Sequence, residues 1–171
     1  MSTLAIDTIQ GATTATSVDM SGVTGLQMPA GHIIQTVHTS TNTQVQTSSG
    51  GFVETGLNLS ITPKFATSKI LVTVSQNIQT SSTSYCQICL RRGTAASDTN
   101  LSIIVTPEGY NNSSYEEINQ IPFSWLDSPA TTSSTRYFVS MERLSGSANI
   151  TAQTQTSGNS VSTMVLQEIA Q

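Results

Sequence analysis

Two cysteines three residues apart are the first residues whose types and spacing could do chemistry. Cys86-Gln87-Ile88-Cys89 has the spacing of a redox pair or of half a zinc site. The segment is typical of a β-strand, in which residues three apart point to opposite faces, so the two sulfurs diverge. The sequence has no second cysteine pair. We therefore predict two buried structural cysteines, because free cysteine is among the most buried residue types.

The two histidines, His32 and His38, lie six residues apart. On one strand this spacing places them on the same face about 20 Å apart, which is too far for one metal ion. A three-histidine site arises only if one histidine repeats around a threefold axis, and His32 is the weak candidate for it. The ordinary interpretation is two polar positions, so we predict no metal and no cofactor.

Glu116, Glu117 and Asp127 are the nearest approach to paired catalytic carboxylates. A glycosidase holds two carboxylates at a defined distance in a cleft lined by aromatic platforms. Trp125 is the single tryptophan, and it alternates with two apolar neighbours in a pattern that predicts a core position. We therefore predict no catalytic residue and no enzyme, and a polysaccharide depolymerase is the least favoured function.

The loop with the most distinctive chemistry contains Tyr110, Asn111, Asn112 and Tyr115. Aromatic and amide side chains can stack on a carbohydrate and hydrogen-bond to it, which makes these residues the candidate receptor contact. The plainer alternative, which the sequence favours, is a turn-rich connection.

The composition limits the classes of function. Charged residues are 9% of the chain and aromatic residues 5%, while Ser and Thr together make up roughly three residues in ten. The net charge is -4 and the six basic residues are scattered, so no basic stripe predicts nucleic-acid binding. No apolar run approaches the length of a membrane span, and the start shows no signal-peptide pattern. A polar surface with few charges, in a sequence without a secretion signal, favours a component of a phage particle.

From His32 onward the elements that must position these residues are strands. Apolar and polar residues alternate in short runs that turn clusters separate, which predicts an antiparallel β-sandwich or jelly roll over 31–171. The nine predicted strands cover 33–38, 57–61, 70–75, 85–92, 101–106, 118–125, 136–144, 148–156 and 161–170.

Residues 1–30 differ from the rest of the chain. Their apolar residues are irregularly spaced among Gly, Ser and Thr, and fit neither a helix nor a continuous strand. We predict that this N-terminal stem attaches the chain to copies of itself or to another protein through Leu4, Ile6, Ile9, Val18, Met20, Val23, Leu26 and Met28.

Several strands are apolar on both faces, notably Ile70-Leu71-Val72 and Ile103-Ile104-Val105. One face fills a sandwich core, and the second needs another cover. A neighbouring copy is the simplest cover, so we predict a homotrimer whose outer sheets meet around a threefold axis.

Several segments carry a family resemblance. The opening 2–11, the segment 28–35, the strand 68–72 and the closing 165–170 resemble small structural proteins of tailed phages, especially those of cyanobacterial hosts. The resemblance implies a virion protein, commonly a trimeric fibre with a thin N-terminal stem and a jelly-roll head like that of complement C1q. It implies a short tail fibre that contacts a host surface glycan or protein. The alternative is a capsid decoration protein whose arm grips the shell.

Overall fold

The computed structural model describes residues 29–81, 84–95, 98–105, 116–154 and 160–171, without the side chains of 81, 104, 105, 116 and 117. These ranges contain strands and no helix, and therefore no helix able to span a membrane. The ten strands are β1 (Ile33–Thr41), β2 (Val45–Thr47), β3 (Val53–Ile61), β4 (Lys69–Ser81), β5 (Tyr85–Arg92), β6 (Thr99–Val105), β7 (Glu116–Asp127), β8 (Thr135–Ser145), β9 (Ile150–Ala152) and β10 (Ser162–Ile169).

The strands form two antiparallel sheets. Sheet A places β1 beside β10, β10 beside β4, and β4 beside β7, and the short strands β9 and β2 extend it past the end of β10. Sheet B has the order β3, β8, β5, β6. From β2 to β9 the chain crosses from one sheet to the other at every step except β5 to β6, which is the winding of a jelly roll. The predicted all-β jelly-roll fold is confirmed.

The hydrophobic core lies between the two sheets because alternate residues of each strand point inward. Val72 and Leu166 of sheet A and Ile88, Tyr137 and Met141 of sheet B are completely buried there. Burying each such side chain stabilises the fold by about 1.5–3 kcal/mol before entropy is counted. The side of each sheet that faces away from this core is called its outer face below.

A cluster of buried polar side chains lies where β4 changes partner. On one side, β4 pairs with β10 up to Ser75 and with β9 from Ile78, so the ladder on that side is interrupted at Gln76 and Asn77. The amide of Asn77 donates to Ser162 Oγ at 2.9 Å, and its carbonyl oxygen accepts from Gln76 Nε2 at 3.0 Å. Side chains thus replace the missing strand partner, as buried backbone groups require.

The buried amide of Gln153 completes this cluster. Its nitrogen donates to the carbonyl oxygens of Thr55 at 2.9 Å and Thr43 at 3.0 Å, and its oxygen accepts from Gln76 Nε2 at 2.8 Å. The Gln153 backbone has a φ of 50°, in the left-handed region. A non-glycine residue holds this conformation only where its surroundings fix it, and these bonds do so.

The nine predicted strands all have counterparts, but their bounds differ where the strands are polar. β4 continues to Ser81 and β3 begins at Val53, beyond the predicted apolar runs. The three-residue strand β2 was not predicted. Hydrophobic alternation does not reveal the second half of β4, because the inward residues there include the polar Gln76 and Thr80, which are both buried.

Candidate functional site

The sandwich has two ends, and the N-terminal segment joins one of them. The backbone amide of Gly31 donates to the carbonyl oxygen of Ala170 at 2.9 Å. The backbone amide of Ala170 donates to the carbonyl oxygen of His32, also at 2.9 Å. We call this end the base. Residues 1–28 are therefore connected to the sandwich at the base, beside the first residue of β1.

The opposite, far end carries the connection between β6 and β7. Val105 at the end of β6 pairs with Gln87, and Glu116 at the start of β7 pairs with Ser81. β4 runs from the base to Ser81, a length of about 40 Å at about 3.3 Å per residue. Connection 106–115 thus begins and ends at the opposite end of the sandwich from the attachment of residues 1–28.

A charged and phenolic cluster joins the two sheets at the base. Asp127 of β7 accepts a hydrogen bond from Tyr137 of β8 at 2.8 Å and pairs with Arg92 Nη1 of β5 at 2.6 Å. Burial, and then the hydrogen bond to the Asp127 carboxylate, raise the pKa of Tyr137 above its usual value. The cluster fixes the end of β7 against sheet B.

A second buried carboxylate, Glu168 of β10, holds the connection between β3 and β4. It accepts hydrogen bonds from Gln35 Nε2 at 2.6 Å and from the backbone amides of Lys64 at 2.8 Å and Phe65 at 3.2 Å. Burial alone raises the pKa of Glu168, but the hydrogen bonds from Gln35 and from both amides outweigh it, so the pKa is lowered overall.

A cleft of about 530 Å³ opens at the base. Arg92 and Arg136 contribute to its wall, and Arg136 makes two hydrogen bonds to Glu54, at 3.1 and 2.6 Å. Because each guanidinium pairs with a carboxylate, the cleft offers hydrogen bonds more than net charge. Its hydroxyl groups belong to Ser60, Thr94, Thr131, Ser134 and Thr135. No aromatic side chain lines it among the described residues, so it lacks a platform for a sugar ring.

The outer face of sheet A is polar but almost uncharged. Over 33–40, 69–75, 118–126 and 163–169, Lys69 is its only Lys, Arg, Asp or Glu residue, and His38 is its only histidine. Among its residues, Ile33 is 50% exposed and Leu126 is 49% exposed. Other outward residues are Thr36, Ser40, Leu71, Thr73, Ser75, Ile118, Gln120, Pro122, Ser124, Thr163, Val165, Gln167 and Ile169.

The outer face of sheet B differs in charge. Arg136 lies 4.5 Å from the ring centroid of Phe138 while it pairs with Glu54. Arg91 is buried under the ring of Phe52, 4.2 Å from its centroid, and donates from Nε to Ser140 Oγ at 2.8 Å. Most of the charged strand residues therefore lie on this sheet.

The two cysteines are buried, as the sequence predicts. Cys86 belongs to the core, whereas Cys89 lies on the opposite side of β5. Burial, and then the charge of Glu142, raise the pKa of Cys86 to about 12, and burial also raises the pKa of Cys89. Neither thiol is activated as a nucleophile.

The candidate ligands and carboxylates are spread along the sandwich. His32 precedes β1 at the base, and His38 is exposed on the outer face of sheet A. Glu117 and Asp127 stand ten residues apart on β7, about 33 Å along the strand. Within the described ranges no three His, Cys, Asp or Glu side chains come together as metal ligands.

The predicted core position of Trp125 is wrong. Trp125 points to the same side of sheet A as the buried Val72, which it opposes, yet it is 42% exposed. β7 is an edge strand of sheet A, so the neighbouring sheet only partly covers its inward side chains. Ile121 and Phe123 do pack against the core from the same strand.

The two segments that the sequence nominates for binding lie outside the described residues. They comprise the attachment residues Leu4, Ile6, Ile9, Val18, Met20, Val23, Leu26 and Met28 and the candidate receptor residues Tyr110, Asn111, Asn112 and Tyr115. The structure places only the points where these segments join the sandwich. It adds the base cluster and the exposed Ile33 and Leu126, which periodicity alone did not single out.

No protein-family model and no curated protein matches the chain. Among solved structures, the chain is similar to one of the infectious bursal disease virus Gx strain, with a TM-score of 0.40 and 11% identity over 80% of this chain and 37% of that chain. A mutant VP2 protein of the same virus gives a TM-score of 0.36 and 12% identity over 81% and 37% of the two chains. Its VP2 subviral particle gives 0.35 and 10% over 81% and 39%. The chain thus spans less than two fifths of these chains.

Proposed function

We propose that this chain is a structural protein of a tailed-phage particle, without enzymatic activity. It forms a trimeric short tail fibre that is anchored through residues 1–30 and contacts the host surface with its β-sandwich head. The sequence resemblance to small phage structural proteins supports this proposal, as does a surface rich in Ser and Thr and poor in charge.

The observation that carries the proposal is that the two candidate binding segments join the sandwich at opposite ends. Residues 1–28 join the base beside Gly31, whereas connection 106–115 starts from Val105 and returns to Glu116 at the far end. A head anchored at its base presents the far end outward. Three copies side by side present three such connections, and weak contacts then add up by avidity.

The positions of the acidic residues along β7 support a non-enzymatic role. Asp127 is engaged by Arg92 and Tyr137 at the base, while Glu116 and Glu117 begin β7 at the far end. A separation of about 30 Å or more is several times the distance between the carboxylates of a glycosidase.

The attachment site is tested by imaging particles that carry a gold label at Gln171. Gln171 follows Ala170, which bonds to Gly31 and His32 at the base, so a label at Gln171 reports the anchoring point. We expect label on the tail. Label covering the shell would show that the chain is a capsid decoration protein and not a tail fibre. Label on neither the tail nor the shell would overturn the proposed role in the virion.

The role of the far end is tested by competition. Purified full chain should block adsorption of the phage to its host, and Tyr110→Ala with Tyr115→Ala should weaken this block. Thr131→Ala, in the cleft at the base, is the matched control and should compete like the unchanged chain. Equal competition by all three proteins would remove connection 106–115 from the proposal.

A further inference from the structure

We infer that the outer face of sheet A is the surface through which copies of this chain meet. This inference rests on the proposed trimer and names the face and the residues that form it. The partners are two further copies of the same chain, and all three copies turn this face toward a shared threefold axis.

An apolar band crosses all four long strands of this face. Ile33 of β1 opposes Ile169 of β10, and Leu71 of β4 opposes Leu126 of β7. Gln167 opposes Leu71, so Ile169 lies diagonally next to Leu71 and joins the two pairs. Ile33 and Leu126, at the two ends of the band, are about half exposed. The band therefore presents aliphatic surface in a continuous line.

The charge distribution favours a copy of the same chain as the partner. The chain carries a net charge of -4, yet no acidic side chain points outward over the stretches of sheet A around the band. Two such faces approach each other without repulsion between carboxylates, whereas two outer faces of sheet B would bring charged side chains together. Interface cores are likewise depleted of charge.

The area and position of the face agree with this role. Four strands about 4.8 Å apart and about seven residues long at about 3.3 Å per residue have a flat footprint of about 440 Å². This is about half of the roughly 800 Å² per partner of a standard interface, before the relief of the side chains is counted. The band begins at Ile33, next to the base, so contact between the faces brings the N-terminal segments of neighbouring copies together.

The chain offers a matched pair of variants for the test. Leu126→Glu adds a carboxylate to the band, and Ile103→Glu adds one to the outer face of sheet B, where Ile103 is 48% exposed. Sedimentation velocity of the full chain should give the mass of three chains for the unchanged protein and for Ile103→Glu. Leu126→Glu should give one chain, with an unchanged far-ultraviolet spectrum that shows the fold to be kept.

Disulfide trapping provides a readout that does not depend on disrupting the face. Gln167→Cys is on the outer face of sheet A and Gln87→Cys is on that of sheet B, and the native thiols are buried. Oxidation should cross-link chains that carry Gln167→Cys and leave Gln87→Cys uncross-linked. An oligomer that survives Leu126→Glu, or that cross-links through Gln87→Cys instead, overturns the inference alone. An unchanged chain that sediments as a monomer overturns both this face and the proposed trimer.

Discussion

The carboxylate of Asp127 and the hydroxyl of Tyr137 lie 2.8 Å apart across the gap between the two sheets. The phenol donates to a carboxylate that also pairs with Arg92 at 2.6 Å. Both residues are buried, so the bond joins the end of β7 to β8 where little water competes for it.

Tyr137→Phe keeps the ring in the core and removes this hydrogen bond. Because the buried carboxylate loses a donor, we expect the free energy of unfolding to fall by about 1–3 kcal/mol in urea titrations at neutral pH. A double-mutant cycle with Asp127→Asn isolates the pair, and a coupling energy near zero would contradict the bond.

The raised pKa of Tyr137 makes stability depend on pH, because the phenol stays neutral in the folded protein at pH values where it ionises in the unfolded chain. Stability from this group is complete below the usual pKa of 10.0 and is lost as the pH rises above it.

Glu168→Gln removes the charge that three donors share at the base. We expect a loss of about 1–3 kcal/mol at pH 7, because hydrogen bonds to a charged group are stronger than those to an amide. The folded-state pKa is lowered, so the contribution is present above the ordinary value of 4.5 and is lost as the pH falls through the folded value. Urea titrations should therefore show different free energies of unfolding for the two proteins at pH 7, and the difference should disappear at acid pH.

Glu142→Gln is the control for that experiment, since Glu142 lies half-buried on β8 in the other sheet. It should leave most of the acid dependence in place. If both substitutions reduced the pH dependence of the free energy of unfolding equally, the effect would come from overall charge and not from Glu168.

Gln76→Leu tests the polar cluster at the partner change of β4. Leucine fits a similar volume but cannot donate to the Asn77 carbonyl oxygen or to Ser162. We expect a loss of about 1–3 kcal/mol in spite of the added hydrophobicity, because buried acceptors lose their donor. Thr99→Val, at an exposed position of β6 in the other sheet, should change stability by less than about 0.5 kcal/mol. A Gln76→Leu protein as stable as the unchanged chain would show that the cluster is dispensable.

Trp125 gives a direct optical test of the edge of sheet A. As the single tryptophan, it reports by itself on its 42% exposure. Its emission should lie to the red of a buried indole, and acrylamide should quench it in the native protein nearly as well as in urea. Because Trp125 points away from the outer face, quenching should persist in the oligomer. Protection at high protein concentration would place this edge inside the contact.

The sequence reveals the sandwich because its inward residues alternate with polar ones, as in Ile70, Val72 and Val74, all buried. It does not reveal strands whose inward positions are polar, such as the second half of β4. That half depends on Ser162 and Gln153, which are more than seventy residues away in the chain. Such long-range pairing leaves no local pattern.

The candidate site could be predicted only in part. Burial of Cys86 and Cys89 follows from residue type, whereas the exposure of Trp125 depends on β7 being an edge strand, which alternation does not encode. The band of Ile33, Ile169, Leu71 and Leu126 likewise depends on strand order and register. Each residue alone is an ordinary aliphatic strand position.

The hydrogen bond from Gly31 to Ala170 also bears on how the chain can be rewired. A short linker between these positions closes the sandwich into a ring, and new ends can then be opened within 106–115. Such a circular permutant keeps every described strand and moves both termini to the far end. It would reverse the polarity of the head, so that an anchor fused to the new start would turn the base outward.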